Sequence, residues 1–178
     1  MILRNRSTRF WGIMSLVYLV FSFNVSMAQE AVVIRTLDDF AACSPDQLEM
    51  LFAQGNATAI PTGKVRAIPL VNPGKPQARV ASRAGRVVFS GKIIADDASQ
   101  ATNVFFGIPM VRGVFRVGPS VRDGRPAIIL DYTGTSILYR NARDEIREIS
   151  PGLFLGYVMD VRDSSSRARR WFAFEPAR

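Results

Sequence analysis

The stretch Ala142-Arg143-Asp144-Glu145-Ile146-Arg147-Glu148-Ile149-Ser150-Pro151-Gly152-Leu153-Phe154-Leu155-Gly156-Tyr157-Val158-Met159 can be read in two ways, and the architecture of the chain turns on the choice. Leu138, Ala142, Ile146 and Ile149 fall at helical spacing before the stop at Pro151-Gly152, which makes a helix one reading. Asp144 to Ile149, then Ser150-Pro151-Gly152, then Leu153 to Met159 is also a plausible hairpin, and the strand reading is preferred. A strand would send Arg143, Glu145 and Arg147 to one face and Asp144, Ile146 and Glu148 to the other. The residues leave open which of those faces is buried.

The neighbouring sequence supports the hairpin. Beyond Gly55 the chain consists of short runs rich in valine, isoleucine and phenylalanine, broken by glycine and proline. Nine candidate strands follow: Lys64 to Val71, Arg86 to Ala95, Asn103 to Ile108, Val111 to Val117, Ala127 to Tyr132, Ser136 to Arg140, Asp144 to Ile149, Leu153 to Val161 and Arg170 to Phe174. Their short connections, such as Asn72-Pro73-Gly74 and Asp123-Gly124, favour antiparallel neighbours. Asp96-Asp97 reads as a hairpin tip, Gly107 to Gly113 as a turn, and Ala78 to Ala84 as an exposed basic loop. Near the start, Ser44 can cap a helix with Pro45 in its first turn, Gln47 completing a capping box and Gly55 following the last turn. Leu48, Leu51 and Phe52 would share its inward face, and Thr36 to Ala42 could add a turn or two before it.

The 178 residues include no histidine and one cysteine. This removes Ser-His-Asp and Cys-His catalysis and the commonest zinc and haem ligands. Arg4, Arg6 and Arg9 precede an uncharged run from Phe10 to Asn24 that ends in Ser26-Met27-Ala28, the layout of a secretory signal peptide cut between Ala28 and Gln29. Residues 1–28 are expected to be the signal, 29–60 a helical segment packed on a barrel, and 61–178 the barrel. The location is expected to be periplasmic or secreted, with no transmembrane span in the mature chain. Setting Arg4, Arg6 and Arg9 aside leaves 20 basic against 15 acidic residues, a net +5. That surplus suits solubility or weak attraction to anionic envelope components, and no nucleic-acid-binding pattern accompanies it. Cys43 has no partner for an intramolecular disulfide and reads as a buried apolar filler.

Taken in order, Pro61-Thr62-Gly63, Ser90-Gly91-Lys92, Asp123-Gly124-Arg125-Pro126, Leu130-Asp131-Tyr132, Arg143-Asp144-Glu145-Ile146-Arg147-Glu148 and Pro151-Gly152-Leu153-Phe154-Leu155-Gly156 resemble a group of uncharacterised exported bacterial proteins. More loosely, the Gly-Lys strand, the Leu-Gly strand and the aromatic strand near the C-terminus resemble small barrels of the GXWXG type, with a lipocalin-like flavour. Neither a Gly-x-Trp-x-Gly motif nor the lipocalin Gly-x-Trp near the mature start is present. The resemblance implies a mainly β fold, a single antiparallel barrel of the lipocalin or calycin kind with a short N-terminal helix. It implies no activity, substrate or catalytic residue.

Candidate ligand-binding residues are Arg143, Glu145, Arg147, Tyr132 and Asp131. If the Arg143-Glu145-Arg147 row faced the barrel interior, an arginine not matched by acids could hold a carboxylate or phosphate, with an apolar tail among Phe105, Phe115 and Phe154. Facing solvent, the row would be only a ladder of weak ion pairs. Asp131 and Tyr132 could lie at the rim of the barrel or stabilise the turn at Thr133-Gly134. No catalytic residue, metal ligand or cofactor is assigned. The expected partner is a small amphipathic molecule or lipid, with an anionic head group among the candidates. A filled barrel acting as an envelope interaction protein is the alternative, and an enzyme would require two titratable groups converging in a cavity.

Overall fold

A computed structural model describes residues 32–137, 139–162 and 170–177. The expected signal peptide lies outside the described residues. Eight strands follow one another around a ring: β1 (Gly63–Leu70), β2 (Phe89–Ile94), β3 (Gln100–Phe105), β4 (Ile108–Pro119), β5 (Pro126–Asp131), β6 (Ala142–Ser150), β7 (Leu153–Asp160) and β8 (Arg170–Pro176). Each pairs antiparallel with the next, and β8 returns to β1 through pairs running from Val65↔Pro176 to Leu70↔Trp171, so the barrel is closed. Closure gives every strand two neighbours and leaves no exposed edge. The fold is mainly β, consistent with a lipocalin-like barrel.

The hairpin reading of residues 142–159 holds. β6 lies against β7 with Glu145 opposite Tyr157 and Ile146 opposite Gly156. The turn between them places Gly152 at φ 75, and its N–H donates to Glu148 Oε1 at 2.6 Å. The helical spacing of Ile146 and Ile149 is incidental, because Ile146 packs inside the barrel and Ile149 packs against the outer cluster.

Three expectations need correction. Residues 78–84 are not a loop: α3 (Ala78–Gly85) lies in the β1–β2 connection, with only Ala78 and Ser82 buried. Ser82 Oγ accepts the Val71 N–H at 2.9 Å, so a hydroxyl rather than a large apolar group ties this helix to the wall. Residues 137, 139 and 140 form turns and residue 136 is irregular, so none of them is strand; the Thr135 and Ser136 N–H groups both donate to the Tyr132 carbonyl. The expected turn over Gly107 to Gly113 shrinks to Phe106-Gly107. Ile108 onward belongs to the twelve-residue β4, where a register shift between Asn103↔Val111 and Val104↔Pro109 accommodates the proline.

Alternation divides the barrel residues between two apolar clusters. Val65, Ala67, Ile94, Ala101, Val111, Ile128, Leu130, Ile146, Phe154, Phe172 and Phe174 fill the interior. Gly156 makes this possible, because a Cβ there would lie 2.6 Å from the Phe172 ring. On the outer face Ile68, Leu155, Tyr157 and Trp171 are covered by α1 (Leu37–Ala42) and α2 (Pro45–Gln54) through Phe40, Leu48 and Phe52. The capping box is present: Gln47 N–H donates to Ser44 Oγ at 3.2 Å and Ser44 N–H to Gln47 Oε1 at 2.8 Å. Such a cap contributes about 1 kcal/mol, and each buried leucine or phenylalanine about 2 kcal/mol. Packing therefore holds the helix, and the cap sets where it begins. Among the described residues no helix is long and apolar enough to cross a membrane, which says nothing about membrane crossing by strands.

Candidate functional site

Among the described residues, four polar side chains are buried in the largely apolar interior. Lys92 shares its face of β2 with Ile94, and Asn103 shares its face of β3 with Ala101. Tyr132 follows β5 on the side of Ile128 and Leu130, and Asp144 stands beside Ile146 on β6. Because β2 and β6 are not neighbours in the ring, the contact between Lys92 and Asp144 spans the lumen. Lys92 Nζ donates to Asp144 Oδ2 at 3.0 Å, to Asn103 Oδ1 at 2.6 Å and to the Tyr132 hydroxyl at 3.3 Å. That hydroxyl donates to Asp144 Oδ2 at 2.7 Å and accepts from Asn103 Nδ2 at 2.8 Å. Among the described residues, Asp144 Oδ1 accepts no hydrogen bond.

Aromatic rings complete the surroundings of the ammonium, with the Phe172 and Phe89 ring centroids 4.9 and 5.4 Å from Nζ. Burial pushes the Lys92 amine below its usual pKa, opposed by the charge of and hydrogen bond to Asp144. Burial, reinforced by the Asp144 charge, pushes the Tyr132 phenol well above its usual value. The cluster forms the polar side of a half-open cavity of about 160 Å³, whose apolar walls include Phe89, Phe105, Tyr139, Val158 and Phe172. The cavity occupies the end of the barrel where β1, β3, β5 and β7 finish and β2, β4, β6 and β8 begin, with Arg170 also in its lining. Toward the other end Phe154 and Phe174 stack inside the barrel, with centroids 4.8 Å apart and planes 4° from parallel. The barrel is thus filled in one part and open in another.

Arg143, Glu145 and Arg147 lie on the other face of β6, outside the barrel, where the β4–β5 connection and α2 cover them. Arg147 is completely buried, and each of its five N–H donors has an acceptor. Nη1 donates to Asp123 Oδ2 at 2.7 Å and to the Phe52 carbonyl at 2.9 Å. Nη2 donates to Asp123 Oδ1 at 2.7 Å and to the Arg125 carbonyl at 3.1 Å, and Nε donates to the Pro126 carbonyl at 3.0 Å. The guanidinium also lies over the Phe52 ring, 4.5 Å from its centroid. Glu145 is equally engaged, ion-paired with Arg143 at 2.7 Å and accepting from Val121 N–H at 3.1 Å and from the Tyr157 hydroxyl at 2.5 Å. Burial drives the Tyr157 phenol above its usual range, and the bond to Glu145 adds to the shift. The row is neither an interior anion site nor a solvated ladder. It fastens a loop and a helix to the wall.

Tyr132 alone among the five candidates faces the cavity. Asp131 turns outward, where its Oδ1 accepts the Thr133 N–H at 2.8 Å, the turn-stabilising role. Phe105 lines the cavity, whereas Phe154 belongs to the filled part and Phe115 is not in the cavity wall. Sequence reasoning missed Lys92, Asn103 and Asp144. A signal existed: each is a polar residue on the apolar parity of its strand, Lys92 with Ile94, Asn103 with Ala101 and Phe105, and Asp144 with Ile146.

No protein-family model matches this chain, and no curated protein matches it either. Among solved structures, it is similar to the crystal structure of a protein from Thermomonospora curvata, with 13% sequence identity and a TM-score of 0.51. The likeness covers 77% of this chain and 90% of that one. At that identity the likeness concerns the fold, a closed eight-stranded antiparallel barrel.

Proposed function

We propose that this barrel is an exported protein of the cell envelope that binds a small amphipathic ligand in the cavity over Lys92 and Asp144. The observation that carries the reading is the ion pair itself, two charges meeting across the lumen against aromatic walls in the open part of the interior. A buried ion pair is a poor device for stability, since well-packed apolar residues of similar volume often do as well or better. Its value lies in orienting a polar ligand. The unpaired Asp144 Oδ1 suits a ligand hydroxyl or N–H donor, and Arg170 in the lining offers a cation to an anionic group. A cavity near 160 Å³ encloses about one benzene-sized group. A hydroxylated aromatic acid fits this description better than a whole fatty acid.

The test is thermal unfolding with para-hydroxybenzoate, benzyl alcohol and a long-chain fatty acid. The hydroxylated aromatic acid is expected to raise the melting temperature in proportion to the logarithm of its concentration above Kd. The paired substitution Lys92→Met with Asp144→Leu removes both charges together, keeps the fold and abolishes the rise. Failure of every small amphiphile to move the wild-type transition, or an equal response in the paired variant, overturns the reading.

Convergence of Lys92, Tyr132 and Asp144 also satisfies the geometric condition for acid–base catalysis. This is the second reading, because the ammonium and the phenol already use all their protons on one another and on their neighbours.

A further inference from the structure

The cavity end of the barrel carries apolar residues that no other described residue covers. Phe106 is 66% exposed, Ile108 and Met110 61%, Val87 71% and Ile137 86%, with Val88 and Val161 beside them in the connections of the same end. They come from four separate connections and the start of β4. The Phe106 N–H donates to the Val88 carbonyl at 3.0 Å, and the Val161 N–H to the Asn141 carbonyl at 2.7 Å, so backbone bonds hold the tips together. Isolated exposed apolar residues are ordinary, but a set gathered round one opening marks an interaction surface.

Phe106 supplies an independent observation. It forms, with Gly107, the two-residue turn between the paired Phe105 and Ile108, and both turn residues have positive φ, 51° and 78°. Turns of this kind favour Asn-Gly, and a bulky side chain at the first position is strained. A strained backbone holding an unburied phenylalanine at a hairpin tip is sequence retained for something other than stability. Exposed Arg140, Arg162 and Arg170 stand at the same end. Among the described residues of these strand ends and connections, Asp131 and Asp160 accept backbone N–H groups of Thr133 and Arg162. Apolar tips ringed by guanidinia complement an anionic lipid surface, where aromatic and aliphatic groups enter the interface while arginines stay at the head groups.

We propose that the protein docks on an anionic bilayer by this end, with Phe106 as its leading insertion residue. The cavity mouth then faces the lipid. Docking does not depend on whether the cavity binds a ligand, and its test contains no soluble ligand, so the two readings fail separately.

The experiment places one environment-sensitive fluorophore on the full chain. Phe106→Cys and, at the opposite end of the barrel, Asp96→Cys are labelled in a Cys43→Ala background with nitrobenzoxadiazole and mixed with vesicles of equal parts phosphatidylglycerol and phosphatidylcholine. A probe at position 106 is expected to brighten, shift to the blue and be quenched by bromine-bearing lipid chains, while a probe at position 96 does not respond. Moderate salt and pure phosphatidylcholine should both weaken the response. Because the label reads its own surroundings, binding through the N-terminal apolar run alone would leave position 106 dark. Phe106→Ser with Met110→Ser should weaken the vesicle affinity of the domain from Gln29 by about tenfold or more, with an unchanged melting temperature reporting an intact fold. That domain contains the compact unit from Ala31 to Arg178. The proposal is overturned if position 106 stays dark on anionic vesicles, if both positions respond alike, or if position 106 brightens with protein concentration alone, which would mark a second copy as the occupant.

Discussion

Arg147 shows what one buried guanidinium can organise. Its two bonds to Asp123 hold the β4–β5 connection, its bond to the Phe52 carbonyl holds the last turn of α2, and its stem leaves β6 between them. A lysine could fill three of the five donor positions at most, and without the planar fork. Arg147→Met is expected to lower stability by about 3–5 kcal/mol by leaving acceptors unpaired under the loop, and Arg147→Lys should recover less than half of the loss. Denaturant midpoints of the two variants check both values. The hydrogen bonds from Arg147 also hold the Asp123 carboxyl below its ordinary pKa of 3.8. A folded pKa lower than the unfolded one means the contribution is fully present above the unfolded value and is lost as pH falls through the folded one. The melting temperature should therefore fall as pH drops below about 4, and Asp123→Asn should flatten that part of the profile while lowering stability at neutral pH. A wild-type profile unchanged by Asp123→Asn would contradict the assignment.

At the level of elements, legibility followed the size of the inward side chains. Strands with valine, isoleucine or phenylalanine on their inner face, such as Ala127 to Tyr132, could be read directly, and so could α2, with a cap at one end and Gly55 at the other. α3 could not, because its buried positions are Ala78 and Ser82 and its remaining residues look like a solvated basic loop. The parity of β6 was legible but not its direction. Arg147 on one face and Asp144 on the other are both buried, and alternation alone cannot say which cover is a barrel and which is a loop with a helix. The cavity stayed hidden for a related reason: Lys92 and Asp144 are 52 residues apart and meet only through ring closure. The Phe106-Gly107 turn carries a prediction of its own. Phe106→Asn suits a position of positive φ, so it should raise stability by about 1 kcal/mol, read as a higher denaturant midpoint, although it removes a large apolar side chain. A loss of stability would show that Phe106 makes packing contacts worth more than its strain.

For the whole molecule, a barrel closed by hydrogen bonds and filled by aromatics needs no covalent staple. Cys43 is buried with its thiol pushed up to about 11, chiefly by burial, which keeps it protonated and unreactive near neutral pH. Reductant and chelator should each leave the melting temperature unchanged, and a fall of several degrees with either would reveal a bridge or ion on which the fold relies. Closure between β1 and β8 has a consequence in time as well as space. Because Val65 pairs with Pro176, almost the entire barrel sequence must be synthesised before the ring can be completed. β8 also brings Phe172 and Phe174 to the interior and Trp171 to the outer cluster, so a nascent chain ending short of it lacks part of both cores. Up to that moment the strands already made leave the seam between β1 and β7 unfilled. The final strand acts as a late latch: the ring cannot shut before it arrives.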